Sequence, residues 1–249
     1  MPFTFSHPAI VLPLLNTRRK SFSSTGLVIG SIIPDFESFI RFDQHKQYSH
    51  TWLGMFWFDL PLAIIIAFIF HNVVRDPLIK NLPTSIGSRF SNCLDLNWNA
   101  FFRKHFVMVM CSMLIGIVSH MLWDAFTHLN LADPNAVDSQ IYVGPVRLFI
   151  LLQYSNSLLG LMVVIWYVWK RVPIATDPAL GDHYSGKALY WILVGAVSCL
   201  TILLASTLID EELNVILLIE IAISGTLLAL IVAPFLQRLL FSRPKGRRV

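Results

Sequence analysis

The sequence predicts an all-α fold, a polytopic membrane helix bundle of about five transmembrane helices preceded by short N-terminal interfacial or re-entrant helices. The 249 residues are 55% hydrophobic and 14% charged, with a mean hydropathy of +0.63. A soluble globular protein rarely has this composition. Five apolar stretches also reach the length of roughly 20 residues that a bilayer crossing needs. They cover residues 52–70, 105–125, 148–169, 187–209 and 213–241.

We expect residues 1–249 to form a single integral membrane domain, with 1–51 as a separate segment before the five-span bundle of 52–249. The apolar stretches "SHPAIVLPLL" and "TGLVIGSIIPDFESFI" in this segment are too short to span a bilayer. A helix break at Pro34 must therefore face protein or a wet cavity, because unpaired backbone cannot face lipid. The basic "RRK" follows the first apolar stretch instead of preceding it, which is not the pattern of a cleaved signal peptide.

The distribution of Lys and Arg predicts the orientation in the membrane. Three segments are rich in these residues: 71–104, 170–187 and the tail 242–249. By contrast, residues 126–147 contain only Arg147. The positive-inside rule then places the C-terminus in the cytoplasm and residues 1–51 outside a cell (inner) membrane. The five basic residues of segment 1–51 argue the other way.

The stretch "SHMLWDAFTH" at the end of the second predicted span carries His120, Asp124 and His128. Residues at i, i+4 and i+8 lie on one face of an α-helix. A charged residue in mid-membrane costs about 2.5–3.5 kcal/mol on insertion scales, so such residues usually face the bundle interior and mark a site. Imidazole nitrogens and carboxylate oxygens are preferred ligands of zinc and similar metals. The stretch therefore predicts one wall of a metal site.

Three further candidate ligands precede the first span: His7, Asp35 and His50. These three residues precede the first span, and the stretch "SHMLWDAFTH" ends the second span. Both groups are therefore expected on the same side of the membrane, whichever way the chain inserts. The predicted metal ligands are therefore His7, Asp35, His50, His120, Asp124 and His128. Two other readings stay open, since Asp35 after Pro34 can cap a helix and an intramembrane histidine can be a packing residue.

The remaining polar residues suggest supporting roles. The other histidines are expected to be solvated or interfacial: His45, His71, His105 and His183. Asp59 and Glu220 are intramembrane acids that either line the same cavity or pair with neighbouring helices. Gln153, Ser155 and Asn156 either orient ligands or substrate or form interhelical hydrogen bonds. The three cysteines are too far apart in sequence to suggest a disulfide framework or a cysteine metal site.

Several motifs occur in an order that resembles a known family. "MPFTFSHPAIVLPL", "GSIIPDFESF", "YSHTWLG", "SHMLWDAFTH" and "LLQYSNSLLG" look like an uncharacterised family of prokaryotic membrane proteins classed as a domain of unknown function. This resemblance runs from residue 1 to about residue 170. The order His, Asp, His, H-x-x-x-D and a last His is more distantly similar to bacterial membrane-bound metal-dependent hydrolases. It is also similar to the zinc-dependent phospholipase C and single-strand nuclease superfamily, an all-α fold.

By that analogy, one zinc ion would be held by Asp35, His50, His120 and Asp124. His7 and Asp124 would help to hold a second ion, with Asp124 bridging the two, and His128 would serve the second ion or another. The chain has no later H-x-x-x-E pair, so the resemblance implies one or two ions instead of three.

These observations favour a membrane-embedded hydrolase that uses a divalent metal, with zinc as the first candidate, on a phosphoester of a lipid or lipid-linked substrate. Asp35 and Asp124 are the predicted catalytic residues. The alternatives are a transporter-like protein that binds metal or relays protons, and a metal that only staples the N-terminal segment to the second span. No G-x-S-x-G or Cys–His signature indicates covalent catalysis. The expected partner is the lipid bilayer, and no nucleic-acid motif is present.

Overall fold

The computed structural model describes residues 3–15, 21–42, 47–128, 142–143, 146–174, 184–208 and 215–241. Within these ranges, five helices are long and apolar enough to cross a membrane: Met55–Asn81, Phe106–Thr127, Ile150–Arg171, Gly186–Leu208 and Val215–Leu240. The predicted all-α, multi-pass bundle is thereby confirmed. The described strands are β1 (Tyr142–Val143) and β2 (Val146–Arg147), which pair antiparallel directly before the third span.

The N-terminal segment folds into short helices, as predicted. A 3-10 turn at Thr4–Ser6 leads into α1 (Pro8–Leu15), followed by α2 (Ser24–Ile32). A second 3-10 turn at Ile33–Asp35 then leads into α3 (Phe36–Arg41). All three residues of the second turn are buried, so the break at Pro34 faces protein.

The first spanning helix is longer than the sequence predicts. It continues past residue 70 to Asn81 instead of ending in a loop. Its central part, α4 (Leu60–Ile69), lies between π-helical turns at Met55–Asp59 and Phe70–Val74, and α5 (Arg75–Asn81) completes it. The predicted end was wrong because the charge of Arg75 is compensated locally. Its Nε donates to Asp76 Oδ1 at 2.7 Å, and its Nη1 donates to the carbonyl of Leu96 at 2.7 Å.

The expected 71–104 loop is therefore largely helical. After α5 it contains α6 (Thr84–Phe90), a 3-10 turn at Ser91–Cys93 and α7 (Trp98–Lys104). The prediction that His71 is solvated or interfacial was wrong, because this residue is 7% exposed and lies in the spanning helix. Its ring stacks on that of Trp98 with centroids 4.4 Å apart, which shields it from water. His105 is half-buried between α7 and the next helix, whereas His45 and His183 lie outside the described residues.

The remaining four helices follow the predicted order. They are α8 (Phe106–His128), α9 (Leu148–Arg171), α10 (Tyr184–Leu208) and α11 (Val215–Phe241). α10 and α11 pack through small and branched side chains, with Tyr190 and Val194 buried against Ala229 and Ala233. Close backbone approach through small residues is a common way for helices to associate in membranes.

The chain divides into two compact units. The first contains Met1–Glu37, Lys46–Ala67 and Asn99–Pro173, and the second contains Ser38–His45, Phe68–Trp98 and Ile174–Val249. All six predicted metal ligands belong to the first unit. The candidate site therefore lies within the first unit.

Within the first unit, α2 lies directly against α8. A Cβ on Gly26 would come 2.8 Å from Ser112 Cβ, and one on Gly116 would come 2.5 Å from the carbonyl oxygen of Leu27. Real Cβ atoms do not approach this closely, so glycine is required for the contact. Gly26 and Gly30 form a G-x-x-x-G pattern on α2. The contact places the end of α2 beside the His120 turn of α8.

Candidate metal centre

Five of the six predicted ligands converge on one spot. Asp35, His50, His120 and Asp124 each offer a ligand atom, and these atoms all lie within 4.8 Å of one another. His7 joins them, since its Nε2 is 3.2 Å from Asp124 Oδ1. We call these five residues the His/Asp cluster. His128 is the last residue of α8, and its side chain lies outside the part of the chain that the structure describes.

Asp124 is the central member of the His/Asp cluster. Its Oδ1 faces His7, while its Oδ2 lies 3.0 Å from His50 Nε2 and 3.4 Å from His120 Nε2. His120 precedes it by one helical turn of α8, so both side chains project from the same face. The carboxylate thus divides the cluster, with one oxygen on each side. This arrangement suits the bridging role that the resemblance implies for Asp124.

Asp35 contributes the second carboxylate of the cluster. Its Oδ1 is 3.5 Å from His120 Nε2 and 3.8 Å from His50 Nε2. Its Oδ2 accepts a hydrogen bond of 2.6 Å from Thr4 Oγ1. The threonine fixes one oxygen of the carboxylate, and the other oxygen faces the histidines.

All three histidines present the same ring nitrogen to the cluster. His7 Nδ1 donates to the carbonyl of Thr4 at 3.1 Å, and His120 Nδ1 donates to the carbonyl of Ser31 at 2.8 Å. Because a carbonyl oxygen only accepts, both Nδ1 atoms carry hydrogen, and in the neutral ring Nε2 has the lone pair. His50 Nδ1 lies 3.1 Å from Ser49 Oγ. Metal-binding histidines are typically oriented by such a bond from the other ring nitrogen.

The donor set fits a four-coordinate cation. His50 Nε2 and His120 Nε2 are 3.2 Å apart, and when both neutral rings carry their hydrogen on Nδ1, two lone pairs face each other at this distance. A shared cation or a proton relieves the repulsion. Tetrahedral ligands about 2.0–2.1 Å from zinc lie about 3.3–3.4 Å from one another. The measured distances from these two nitrogens to the carboxylates run from 3.0 to 3.8 Å, on either side of that value.

His50 reaches the cluster from a segment without regular helix. Its backbone φ is 61°, in the left-handed region that residues other than glycine seldom occupy. Such a conformation persists only where surrounding contacts hold it, and it often marks a functional site. His50 is also the most exposed member, with 23% of its side chain accessible against 9% for Asp124 and 1% for Asp35. The cluster therefore opens at His50.

Glu37 holds the segment that leads to His50. Its carboxylate accepts from the backbone N–H of Gln47 at 2.8 Å, Tyr48 at 3.1 Å and Ser49 at 2.7 Å. Burial alone would raise the pKa of Glu37, but these backbone hydrogen bonds outweigh it and lower the pKa to about 2. The carboxylate is thus ionised at neutral pH and remains an acceptor.

Sequence reasoning missed these supporting contacts. Thr4 and Glu37 belong to no sequence pattern that is typical of metal ligands, so their contacts are visible only in the folded chain. The third span holds the N-terminal residues beside the cluster through two contacts. Ser157 Oγ accepts a hydrogen bond from Phe3 N at 2.7 Å, and Ser6 packs against Gly160.

The predicted orienting residues of the third span are engaged differently. Ser155 Oγ and Asn156 Nδ2 both donate to the carbonyl of Leu152, within their own helix. Gln153 is half-buried in the same turn. Of the two intramembrane acids, Asp59 is fully buried in the first unit and Glu220 is half-buried in the second.

Comparison with known proteins gives one match. A family model described as a domain of unknown function, DUF4184, matches residues 1–235. No curated protein and no solved structure matches the chain. The more distant similarity to metal-dependent hydrolases therefore stands on the order of the motifs alone.

Proposed function

We propose a function for this chain, which belongs to the family described as a domain of unknown function, DUF4184: it is a membrane-embedded, metal-dependent hydrolase. The observation that carries the proposal is the common orientation of the histidines. His7 and His120 are fixed through Nδ1 by backbone carbonyls, so that Nε2 of His7 faces Asp124 and Nε2 of His120 faces both Asp35 and Asp124. A packing histidine needs one hydrogen-bond partner, whereas this arrangement gathers lone pairs around one point.

The ligands of the first ion would be Asp35, His50, His120 and Asp124. His7 and Asp124 Oδ1 would contribute to a second ion. Zinc is the first candidate because nitrogen and oxygen donors in this number suit it. Such an ion, when bound, polarises a phosphoryl oxygen and lowers the pKa of a bound water to roughly 7.

The chain's own residues then supply positioning and proton transfer. Thr4 fixes Asp35 Oδ2, so that Oδ1 stays on the side of the histidines, where it either binds the ion or, left free of it, accepts the proton of an attacking water. Asp124 keeps His7 on one side and His50 with His120 on the other. These contacts support Asp35 and Asp124 as the catalytic carboxylates.

The location of the cluster suggests the substrate class. His50 immediately precedes the first spanning helix, and Asp124 lies near the end of the second. The opening at His50 is followed by exposed apolar side chains, among them Trp52, Leu53 and Trp57. Aromatic residues at such a position typically lie at the membrane interface. We therefore propose that the substrate is a phosphoester of a lipid or of a lipid-linked molecule.

The same features weigh on the alternatives. A transporter would need polar groups through the depth of the membrane, whereas the cluster lies at one end of two spanning helices. A purely structural metal would have all four residues bound in a closed ligand shell, whereas hydrolysis needs one position for water, which Asp35 leaves when it acts as the base. The accessible 23% of the His50 side chain gives water a route to the cluster. The position of the cluster disfavours transport, and a hydrolysis screen separates a catalytic metal from a structural one.

Metal analysis of the purified protein tests the proposal. We expect stoichiometric divalent metal in the wild type, prepared without chelator, and its loss in His120→Ala and Asp124→Ala. His105→Ala is the matched control, because this half-buried histidine lies outside the cluster and should leave the metal content unchanged. A wild-type protein without metal would refute the proposal. With metal present, absence of hydrolysis across lipid and lipid-linked phosphoesters would favour the alternatives.

A further inference from the structure

A second buried carboxylate lies two residues after Asp35. Glu37 is 1% exposed, and its carboxylate binds three consecutive backbone N–H groups, those of Gln47, Tyr48 and Ser49. Successive N–H groups that converge on one anion form a compact binding nest. Here the anion is part of the protein, so the nest fixes the backbone of residues 47–49 relative to the turn that carries Asp35.

His50 follows this nest directly and depends on it. The other members of the cluster lie in or next to helices and 3-10 turns, whose backbone is held by its own hydrogen bonds. His50 instead has a left-handed backbone, with a φ of 61°. On its far side, Thr51 Oγ1 donates to the carbonyl of Tyr48 at 3.0 Å and accepts from Gly54 N at 2.9 Å. The conformation of His50 is thus determined by Glu37 on one side and by the Thr51 turn on the other.

We infer that Glu37 is the positioning residue for His50 and sets the metal affinity of the cluster through that ligand alone. This inference rests on the metal site of the proposed function but not on hydrolysis. Without the carboxylate, the three N–H groups lose their common acceptor and the segment 47–50 is free to leave its strained conformation. The geometry of Asp35, His120 and Asp124 stays supported by Thr4, by Ser31 and by α8.

A double-mutant cycle on cobalt binding tests the inference. Full-length protein in detergent is stripped of metal and titrated with Co²⁺, and the visible spectrum reports occupancy and ligand environment. We expect Glu37→Gln to weaken Co²⁺ binding about 10–100-fold, the range typical of residues that orient a metal ligand. Its spectrum should shift towards that of His50→Ala. The double variant should bind within about twofold of His50→Ala, because Glu37 has nothing left to position.

Each outcome has one reading. If the two losses multiply in the double variant, Glu37 supports the fold in general and the inference is wrong, although the metal site stands. If wild-type protein fails to bind Co²⁺, the metal site itself is refuted. Hydrolysis does not enter the measurement, so a protein that binds metal without cleaving any substrate still tests Glu37.

Two further variants guard against loss of folding. Ser38→Ala alters the next residue, which is also 1% exposed and whose Oγ has no hydrogen-bond partner among the described residues. It should bind Co²⁺ like wild type. Glu37→Asp keeps the charge on a shorter side chain and should recover part of the affinity lost in Glu37→Gln. Should Glu37→Gln fail to purify as a monodisperse protein, Glu37→Asp takes its place in the cycle with the same expectation of non-additivity.

Discussion

At the scale of single residues, individual hydrogen bonds fix the orientation of the side chains in the His/Asp cluster. Four ligands have such a supporting contact: Asp35 with the Thr4 hydroxyl, His7 with the Thr4 carbonyl, His120 with the Ser31 carbonyl and His50 with the Ser49 hydroxyl. Thr4 therefore serves two ligands through two different atoms. A substitution that removes its hydroxyl but leaves its backbone affects Asp35 alone.

Thr4→Val makes that separation testable. The substitution retains the shape of the side chain and removes the 2.6 Å hydrogen bond to Asp35 Oδ2. We expect metal affinity to fall about tenfold, which is the lower end of the 10–100-fold range typical of residues that orient a metal ligand. Isothermal titration calorimetry with Zn²⁺ measures this affinity. Thr226→Val is the matched control, because among the described residues that hydroxyl bonds within its own helix, to the carbonyl of Ala222. Equal affinity in Thr4→Val and wild type would mean that the Thr4 hydroxyl does not orient Asp35 for metal binding.

The ligand types were predictable from the sequence, and their supports were not. His120 and Asp124 are recognisable because four-residue spacing places them on one helical face. Glu37 resembles any acid in a first helical turn, and the N–H groups that it binds lie ten to twelve residues further along the chain. Such a contact depends on a loop conformation that no periodic pattern encodes.

At the scale of elements, the contact between α2 and α8 positions His120. Gly30 lies against the backbone of Met113, and Ser31 follows it with the carbonyl that binds His120 Nδ1. A side chain at Gly30 would overlap the carbonyl oxygen of Met113. Since backbone atoms cannot rotate away, the two helices would have to separate, and the bond to His120 would be lost with them.

Gly30→Ala should therefore weaken both stability and metal binding. Overpacking of this kind costs about 1–3 kcal/mol, which outweighs the helix-propensity gain of about 1 kcal/mol from replacing glycine with alanine. Thermal unfolding in detergent and Zn²⁺ titration measure the two effects. Gly195→Ala is the matched control on α10, where an added Cβ would have no neighbour within 4 Å. It should be neutral or slightly stabilising. If Gly30→Ala behaves in the same way, the contact between α2 and α8 is looser than the structure indicates.

The helices were easier to predict than the points where they end. Apolar length alone revealed five spans, because a bilayer crossing requires it. The first span passes residue 70 because Arg75 finds acceptors in Asp76 and Leu96, and because Trp98 covers His71. Polar residues usually signal the end of a span, and only their partners show that the helix continues.

At the scale of the whole molecule, the five candidate spans predict on which side of the membrane the cluster lies. His50 precedes the first spanning helix, and Cys93 follows it, so these two residues lie on opposite sides of the membrane if that helix crosses. Arg89, Arg103 and Lys104 follow this helix, and by the positive-inside rule they predict that Cys93 faces the cytoplasm. We therefore propose that the His/Asp cluster lies on the extracytoplasmic side.

Thiol labelling with a membrane-impermeant maleimide tests this arrangement in cells. Cys93 is exposed in the short segment after α6 and should react only after the membrane is permeabilised. In a Cys93→Ser background, Gln47→Cys introduces a thiol at an exposed position beside His50 and should react in intact spheroplasts. Cys111 and Cys199 are internal controls, because both lie within spanning helices and lipid should shield them. Reversed labelling of the two positions would place the cluster in the cytoplasm, and labelling of both from one side would mean that the helix Met55–Asn81 does not cross the membrane.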